Sequence, residues 1–478
     1  MMYSVKKWDY AEISFRGPSQ GNPFVDVVFD GEFRYKNRAV VVPGFYDGDG
    51  VYKLRFMPDT EGIWSVKLKS SCEKLDGQAA EFECVAPDAD AHGPVRVINK
   101  YNFAYEDGTP YYQVGTTCYV WNLQPEELRK KTLKTLETAP FNKMRMCVFP
   151  KNYQFNENPP EHYAFVGDEE NGFDLTRFNV KAWEILDECV LGLREQGIEA
   201  DIILFHPYDR GRWGFDRMDR QADDLYLRYA VARLAAFRNI WWSFANEFDL
   251  MREKSEADWD HYGPYVQELD PHNHLRGIHN CRGFYDHTKQ WVTHCSVQSS
   301  EINSFLKWRD MYGKPVVIDE CRYEGNISNQ WGHLSGEEMS DRFWESFARG
   351  AYCGHGETYM NDRDELWWSK GGELIGGSPA RIAFFKEIFS QMPNNFAPVI
   401  MSNRTKPIVG VPGQMLLYYT GSGQPAVCYF TLPEGEEYAV DIIDTWEMTI
   451  STLGDIVSGQ CEVKLPGKKY IAVRLRRA

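Results

Sequence analysis

Two acidic residues stand where apolar runs give way to loop. Glu247 follows Ile240-Trp241-Trp242-Ser243-Phe244-Ala245-Asn246, and Glu320 follows Pro315-Val316-Val317-Ile318-Asp319. An apolar strand carries such a carboxyl group into a partly desolvated place, which raises the pKa of an unpaired acid. Two carboxyl groups flanking one bond are what glycoside hydrolysis needs. One protonates the leaving oxygen, and the other attacks the anomeric carbon or activates a water. Asn246, beside the first acid, can bond a sugar 2-hydroxyl, an interaction that strengthens in the transition state. A lone Glu after a strand is most often a loop or ion-pair residue; the pair, together with the Asn, points to catalysis.

These residues need a scaffold that brings them to one mouth. Short apolar strands are expected at Tyr111–Thr117, Lys143–Phe149, Glu199–Phe205, Ile240–Ala245, Leu275–His279, Trp291–Val297, Pro315–Glu320 and Tyr352–Tyr359. Amphipathic stretches lie between them at Pro125–Thr138, Val180–Gln196, Asp223–Phe237, Asp258–Leu269, Ile302–Tyr312 and Glu337–Gly350. Eight strand-then-helix units predict an α/β protein with a (β/α)8 barrel over residues 95–395. Functional groups of such a barrel sit at the C-terminal ends of its strands. Reading those ends adds substrate-binding candidates: Tyr119 and Trp121 after strand 1, Arg145 on strand 2, and His206 and Tyr208 after strand 3. His279 and Asn280 follow strand 5, His294 and Gln298 belong to strand 6, Tyr323 follows strand 7, and Trp367 and Trp368 follow strand 8. Asp319 is expected to point away from the pocket by strand alternation. Asp249, Glu301 and Glu324 are rival carboxylates, with Glu301 the second choice as nucleophile. The histidines lack a His-x-His pair at strand 1 and a spare Asp at strand 8, so no metal and no cofactor is expected there.

The rest of the chain reads as β. Residues 1–86 alternate apolar and polar positions between turns such as Asp47-Gly48-Asp49-Gly50, and residues 396–478 do so around Pro433-Glu434-Gly435 and Pro466-Gly467, which predicts a β-sandwich at each end. At 478 residues, about three domains are expected from length alone. The formal charge of −16 argues against nucleic acid and anionic membranes as partners, since phosphates demand a basic surface. The aromatic fraction of 15% suits large cores, and it also suits sugar clefts, where rings stack on aromatic faces. The opening stretch MMYSVKKWDYAEISF has no apolar signal region, and the 11 cysteines form no C-x-x-C pair, so reduced thiols and a cytoplasmic setting are expected.

The barrel pattern resembles the clan of retaining (β/α)8 glycosidases with Asn-Glu at strand 4 and Glu at strand 7. That resemblance implies Glu247 as acid/base, Glu320 as nucleophile, Arg145 as the basic residue beside the nucleophile, and Trp367 or Trp368 as the floor of the sugar subsite. The clan's strand 6 Tyr has no counterpart here; His294 or Gln298 stands in that region. His92-Gly93-Pro94 and Gly108-Thr109-Pro110-Tyr111-Tyr112-Gln113-Val114-Gly115-Thr116-Thr117 resemble the start of an apiosidase-like barrel, although that family often has Asp at the position of Thr116. Gly21-Asn22-Pro23-Phe24, Gly44-Phe45-Tyr46-Asp47-Gly48 and Arg55-Phe56-Met57-Pro58 resemble the immunoglobulin-like domain that precedes such barrels, and Asp444-Thr445-Trp446 with Leu465-Pro466-Gly467 resembles their closing β-domain. The resemblance implies a retaining, exo-acting hydrolase of small glycosides, with a pentofuranoside such as β-apioside as one substrate. β-Glucosidase, β-galactosidase and arabinosidase activities, a non-catalytic carbohydrate-binding barrel, a metal-dependent hydrolase and homo-oligomerisation all stay open.

Overall fold

In a computed structural model the described residues are 3–399 and 407–478. Eight parallel strands form the central sheet: β1 (Val114–Thr117), β2 (Lys143–Cys147), β3 (Glu199–Phe205), β4 (Ile240–Ala245), β5 (Leu275–Gly277), β6 (Cys295–Gln298), β7 (Val316–Glu320) and β8 (Tyr352–His355). Each strand pairs with its sequence neighbour, β8 pairs with β1, and a bridge from His279 to Ser296 joins β5 to β6, so the sheet closes into a barrel. β2, β3 and β4 are buried along their whole length, which is why their sequences read as near-continuous apolar runs.

Helices cover the outside: α1 (Glu126–Leu136), α2 (Val180–Glu195), α3 (Arg220–Leu234), α4 (Glu256–Leu269), α5 (Phe305–Tyr312), α6 (Gly336–Ala348) and α7 (Ser378–Phe389). Local chemistry starts them. At α6 the Ser335 hydroxyl accepts from the Glu338 N–H at 3.2 Å while the Glu338 carboxylate accepts from the Ser335 N–H at 3.1 Å, a reciprocal capping box. The fifth unit departs from the expected repeat. Residues 278–294 between β5 and β6 contain no helix, because turn-forming Asn280, Gly283 and Asp286 interrupt any apolar period there. Two hairpins escaped the sequence reading. One, Phe165–Asp168 with Gly172–Phe178, lies between β2 and α2. The other, Val95–Ile98 with Asn102–Tyr105, closes the barrel floor, where the Phe103 ring packs on Trp241 and Tyr352 at the starts of β4 and β8.

Flanking β regions brace the barrel. Near the N-terminus a five-stranded and a three-stranded sheet enclose Phe33, Leu54, Phe56, Trp64 and Phe82. They are tied to the barrel by buried charges: Arg55 bonds Asp187 of α2 at 2.9 Å, and Arg233 of α3 bonds both Asp187 at 2.9 Å and Asp47 at 2.7 Å. At the C-terminal end a six-stranded and a two-stranded sheet enclose Leu416, Phe430, Val440 and Leu475. Here Tyr419 stacks on Trp344 of α6, and Arg381 of α7 lies 4.2 Å over the Trp446 ring. No helix among the described residues is long and apolar enough to cross a membrane.

Candidate active site

The lower half of the barrel lumen is charged. Lys143 on β2 is fully buried and donates to Asp201 on β3 at 2.5 Å and to Asp319 on β7 at 2.7 Å. This corrects the expectation that Asp319 points outward. The pairing of β7 with β6 shifts register between Val297 and Gln298, and this irregularity lets Asp319 and Glu320 both face inward. Lys143, and after it Arg145, hold the Asp319 carboxyl far below the usual carboxylate range despite its burial.

One turn of side chains higher, Arg145 organises the mouth. Its Nη1 donates to Glu320 Oε1 at 3.2 Å and its Nη2 to Asn246 Oδ1 at 3.0 Å, and Tyr119 donates to the same Asn246 oxygen at 3.2 Å. A single planar guanidinium thus fixes the residue beside Glu247 and the carboxylate of Glu320 together. Glu247 itself has φ 54° and ψ 56°. This left-handed conformation is costly for a residue with a Cβ and persists only where its surroundings enforce it. It turns the Glu247 side chain out of the β4 register, where it accepts a hydrogen bond from the Tyr208 hydroxyl.

His279 sits between the two acids. Its Nδ1 accepts from the Glu247 N–H at 3.3 Å, so the neutral ring carries its proton on Nε2, which lies 3.9 Å from Glu320 Oε1. Burial, aided by Arg145, holds this ring well below the usual His pKa and so keeps it neutral. Burial pushes the Glu320 carboxyl up, to about 8, while Tyr323 and Trp331 beside it pull it back. The Arg145 guanidinium opposes the push, because an adjacent cation stabilises the ionised form.

Aromatic rings wall one side. Trp368 packs against Tyr119, Tyr153, Phe155 and Tyr323 with ring centroids 5.4–5.7 Å apart. Among them lies Lys151, a residue the sequence reading passed over because it stopped strand 2 at Phe149-Pro150. Its Nζ is 3.3 Å from the Tyr119 ring centroid, 4.1 Å from Tyr208 and 4.9 Å from Tyr153. It has no carboxylate ion-pair partner among the described residues, and burial pulls it down to about 8. Trp331 was also passed over, since it lies eleven residues beyond Glu320 in a loop without periodicity. Beyond Tyr208 a cavity of about 510 Å³ opens between Arg210, Asp216, Asp249 and Arg252. A larger apolar cavity, about 630 Å³, lies between the N-terminal strands and α3, away from both acids.

Arg145, Asn246, Glu247, His279, Glu320, Tyr119, Tyr208, Tyr323 and Trp368 therefore come together, and Gln298 pairs in register with Glu320 at the rim. Other candidates are placed elsewhere. His294 packs on Trp241 and Phe103 at the barrel floor, because it precedes β6 instead of ending it. Both His206 nitrogens are engaged by backbone, at Phe149 O and Tyr208 N, so it braces the ends of β2 and β3. Asn280 exchanges hydrogen bonds with the Gln298 backbone and ties β5 to β6. Trp121 is buried in the main core, and Trp367 donates to Thr116 Oγ1 at 2.9 Å away from the lumen. Asp249 accepts three loop N–H groups at 281–283, Glu301 is exposed, and Glu324 is buried behind the barrel.

A family described as the apiosidase-like catalytic domain matches residues 98–369. Two domains of unknown function, DUF5060 and DUF5605, match residues 4–71 and 405–476. No curated protein matches the chain. Among solved structures, a candidate glycoside hydrolase from Bacteroides vulgatus is 34% identical, covers 100% of both chains and superposes with a TM-score of 0.94. A glycoside hydrolase family 5 protein from the same organism is 16% identical, with 80% of this chain and 94% of that one covered and a TM-score of 0.63, and so shares the fold. The chain belongs to the apiosidase-like family, built on a glycoside-hydrolase barrel.

Proposed function

We propose that the protein is a retaining glycosidase in which Glu320 attacks the anomeric carbon and Glu247 serves first as acid and then as base. The observation that carries this reading is the unequal setting of the two acids around Arg145. Glu320 is held by a guanidinium, which suits a group that must react as a carboxylate. Glu247 faces a neutral phenol, which suits a group that must give and take back a proton. The sequence of events follows. Glu247 protonates the leaving oxygen while Glu320 forms the glycosyl-enzyme; Glu247 then draws a proton from water as the C–O bond to Glu320 breaks. Asn246 would bond the sugar 2-hydroxyl, Trp368 would lie against the ring, and the Tyr323 hydroxyl would supply from the β7 loop the contact that strand 6 lacks. The aromatic wall from Tyr119 to Trp368 closes one side of the mouth, which favours a dead-end pocket and exo-action on small glycosides. The family favours a pentofuranoside such as β-apioside, with β-glucosides, β-galactosides and arabinosides as the alternatives.

The raised pKa of Glu320 favours a second reading, in which the two acids exchange roles. Azide rescue separates the two on an activated aryl glycoside chosen from a panel that includes furanosides. Each acid replaced by Ala is expected to lose at least ~100-fold in kcat/KM. With azide, Glu247→Ala should yield a glycosyl azide of retained configuration and Glu320→Ala one of inverted configuration. The opposite pairing reverses the roles, and full activity of Glu320→Ala sinks both readings.

A further inference from the structure

Behind the barrel wall, a second cluster of ionisable groups takes no part in the proposed chemistry. Register places it there. Thr117 pairs with lumen-facing Arg145, so Thr116 and its partner on β8, His355, face the helix layer. His355 is fully buried and stacks on Phe141 with ring centroids 4.7 Å apart. Its Nδ1 lies 3.1 Å from Thr116 Oγ1, and its Nε2 has no hydrogen-bond partner among the described residues. Beyond the ends of β7 and β8, Glu324 and Glu357 face each other across a short parallel bridge. Each is 1% exposed, and one ligand atom from each of His355, Glu324 and Glu357 lies within 4.8 Å of the others.

The carboxylates have fixed positions but unspent acceptor capacity. Glu357 accepts from the N–H groups of Ile375 and Gly376 at 2.7 and 2.9 Å, one on each oxygen. Glu324 accepts from Gly377 and Tyr359 on Oε1 and from Ser378 on Oε2. A carboxylate oxygen with one N–H bond keeps a lone pair free. Neither acid has a Lys or Arg ion-pair partner among the described residues. Two like charges in so dry a place repel, because no water screens them. The loop is shaped around these oxygens. A Cβ on Gly376 would lie 2.5 Å from Glu324 Oε2 and 2.7 Å from Glu357 Oε2. The cluster thus has negative charge without a counter-cation, and a buried imidazole nitrogen without a partner.

We propose that Glu324, His355 and Glu357 form a structural site for one divalent transition-metal ion of the zinc or manganese class. One ring nitrogen with two carboxylate oxygens suits these transition-metal ions, zinc above manganese, better than calcium or magnesium, which prefer all-oxygen shells. The ion would neutralise the carboxylate pair and pin the β7 loop to the β8 loop and to the start of α7. Because Tyr323 immediately precedes Glu324, the ion would also steady the wall of the mouth without touching the reacting atoms.

The test uses the full chain, stripped with a chelator and titrated with Zn²⁺ or Mn²⁺. Uptake of one equivalent with a rise in Tm of several degrees, absent from folded His355→Gln and Glu357→Gln variants, supports the site. No uptake by the stripped wild type, a full equivalent retained by both variants, or uptake of Ca²⁺ alone overturns it. Should the variants not fold, crystals of the wild type soaked in Zn²⁺ decide. An anomalous peak between His355 and the two carboxylates supports the site, and its absence there overturns it.

Discussion

Lys151 is the most unusual single residue at the mouth. A charged ammonium is buried there, 2% exposed, among Tyr119, Tyr208, Tyr153 and Trp368, with no carboxylate of the described residues bonded to it. Cation–π contact returns part of the lost hydration, about 2 kcal/mol when desolvated, yet an unpaired buried charge costs more than that. Folding alone would therefore favour an apolar side chain of the same shape. Lys151→Met is expected to raise Tm by a few degrees and to lower kcat/KM at least tenfold, a trade of activity for stability. A fall in Tm on this substitution would show that the ammonium is structural. The acids around it were legible in sequence because each ends a long apolar run: Glu247 after β4 and Glu320 after β7. Lys151 was not, since nothing in Phe149-Pro150-Lys151-Asn152-Tyr153 shows that four rings from four different loops converge on it. The same limit explains His206 and Asn280. Both lie at strand ends, but their polar atoms are consumed by neighbouring backbone, and a sequence does not display hydrogen-bond partners.

At the scale of elements, the strands position the acids and the loops position everything that touches them. The strand set was readable because parallel strands buried on both faces are short apolar blocks. The shifted pairing of β7 with β6 was not, and with it went the direction of Asp319, because an irregular register leaves no period in composition. The loops after β7 and β8 depend on one close approach. A Cβ on Gly356 would lie 2.1 Å from Tyr323 Cδ1 and 2.5 Å from its Cε1. Gly356→Ala must therefore push the Tyr323 ring away from Glu320 while leaving the acids themselves untouched. The expected result is a fall in kcat of about tenfold or more with KM little changed, matched by Tyr323→Phe, and no further loss in the double variant. Additive losses would mean that the glycine acts on something other than the tyrosine. The hairpin over residues 165–178 shows the other side of this legibility: beyond the buried Phe165 its first strand is exposed, and its second alternates exposed and half-buried residues up to Phe178, so without a strong apolar face it reads as loop.

Over the whole molecule, burial has left titratable groups whose neutral forms the fold requires, and their balance sets the pH of greatest stability. Burial holds His206, His272, His287 and His294 down at about 3, against about 6.5 in an unfolded chain. Groups with depressed His pKa values take up protons only when the chain unfolds, so their contribution is complete above pH ~6.5 and is lost as pH falls toward 3. Glu199 at the start of β3 has the opposite sign. Burial raises it to about 8, with the Trp241 indole bonded to it at 3.0 Å. Its folded form keeps a proton that the unfolded form releases above ~4.3, so its contribution is complete at low pH and is lost as pH rises to 8. Between pH ~4.5 and ~6.5 the buried histidines, His279 and His355 included, outnumber the raised carboxyls Glu199, Glu320, Glu357, Asp216 and Asp223 and stability rises with pH; above ~6.5 the histidines fall silent and Glu199, Glu320 and Glu357 make it decline. Tm measured across pH 4–8 is thus expected to peak near ~6.5. Two variants dissect the peak. Glu199→Gln should flatten the alkaline limb in part. His287→Leu, which removes a ring packed among Phe284, Tyr285 and Tyr312 with neither nitrogen partnered among the described residues, should raise Tm more at pH 5 than at pH 7.5. A Tm profile that keeps rising to pH 8 in the wild type would mean that these buried carboxyls, Glu199 among them, are ionised in the fold.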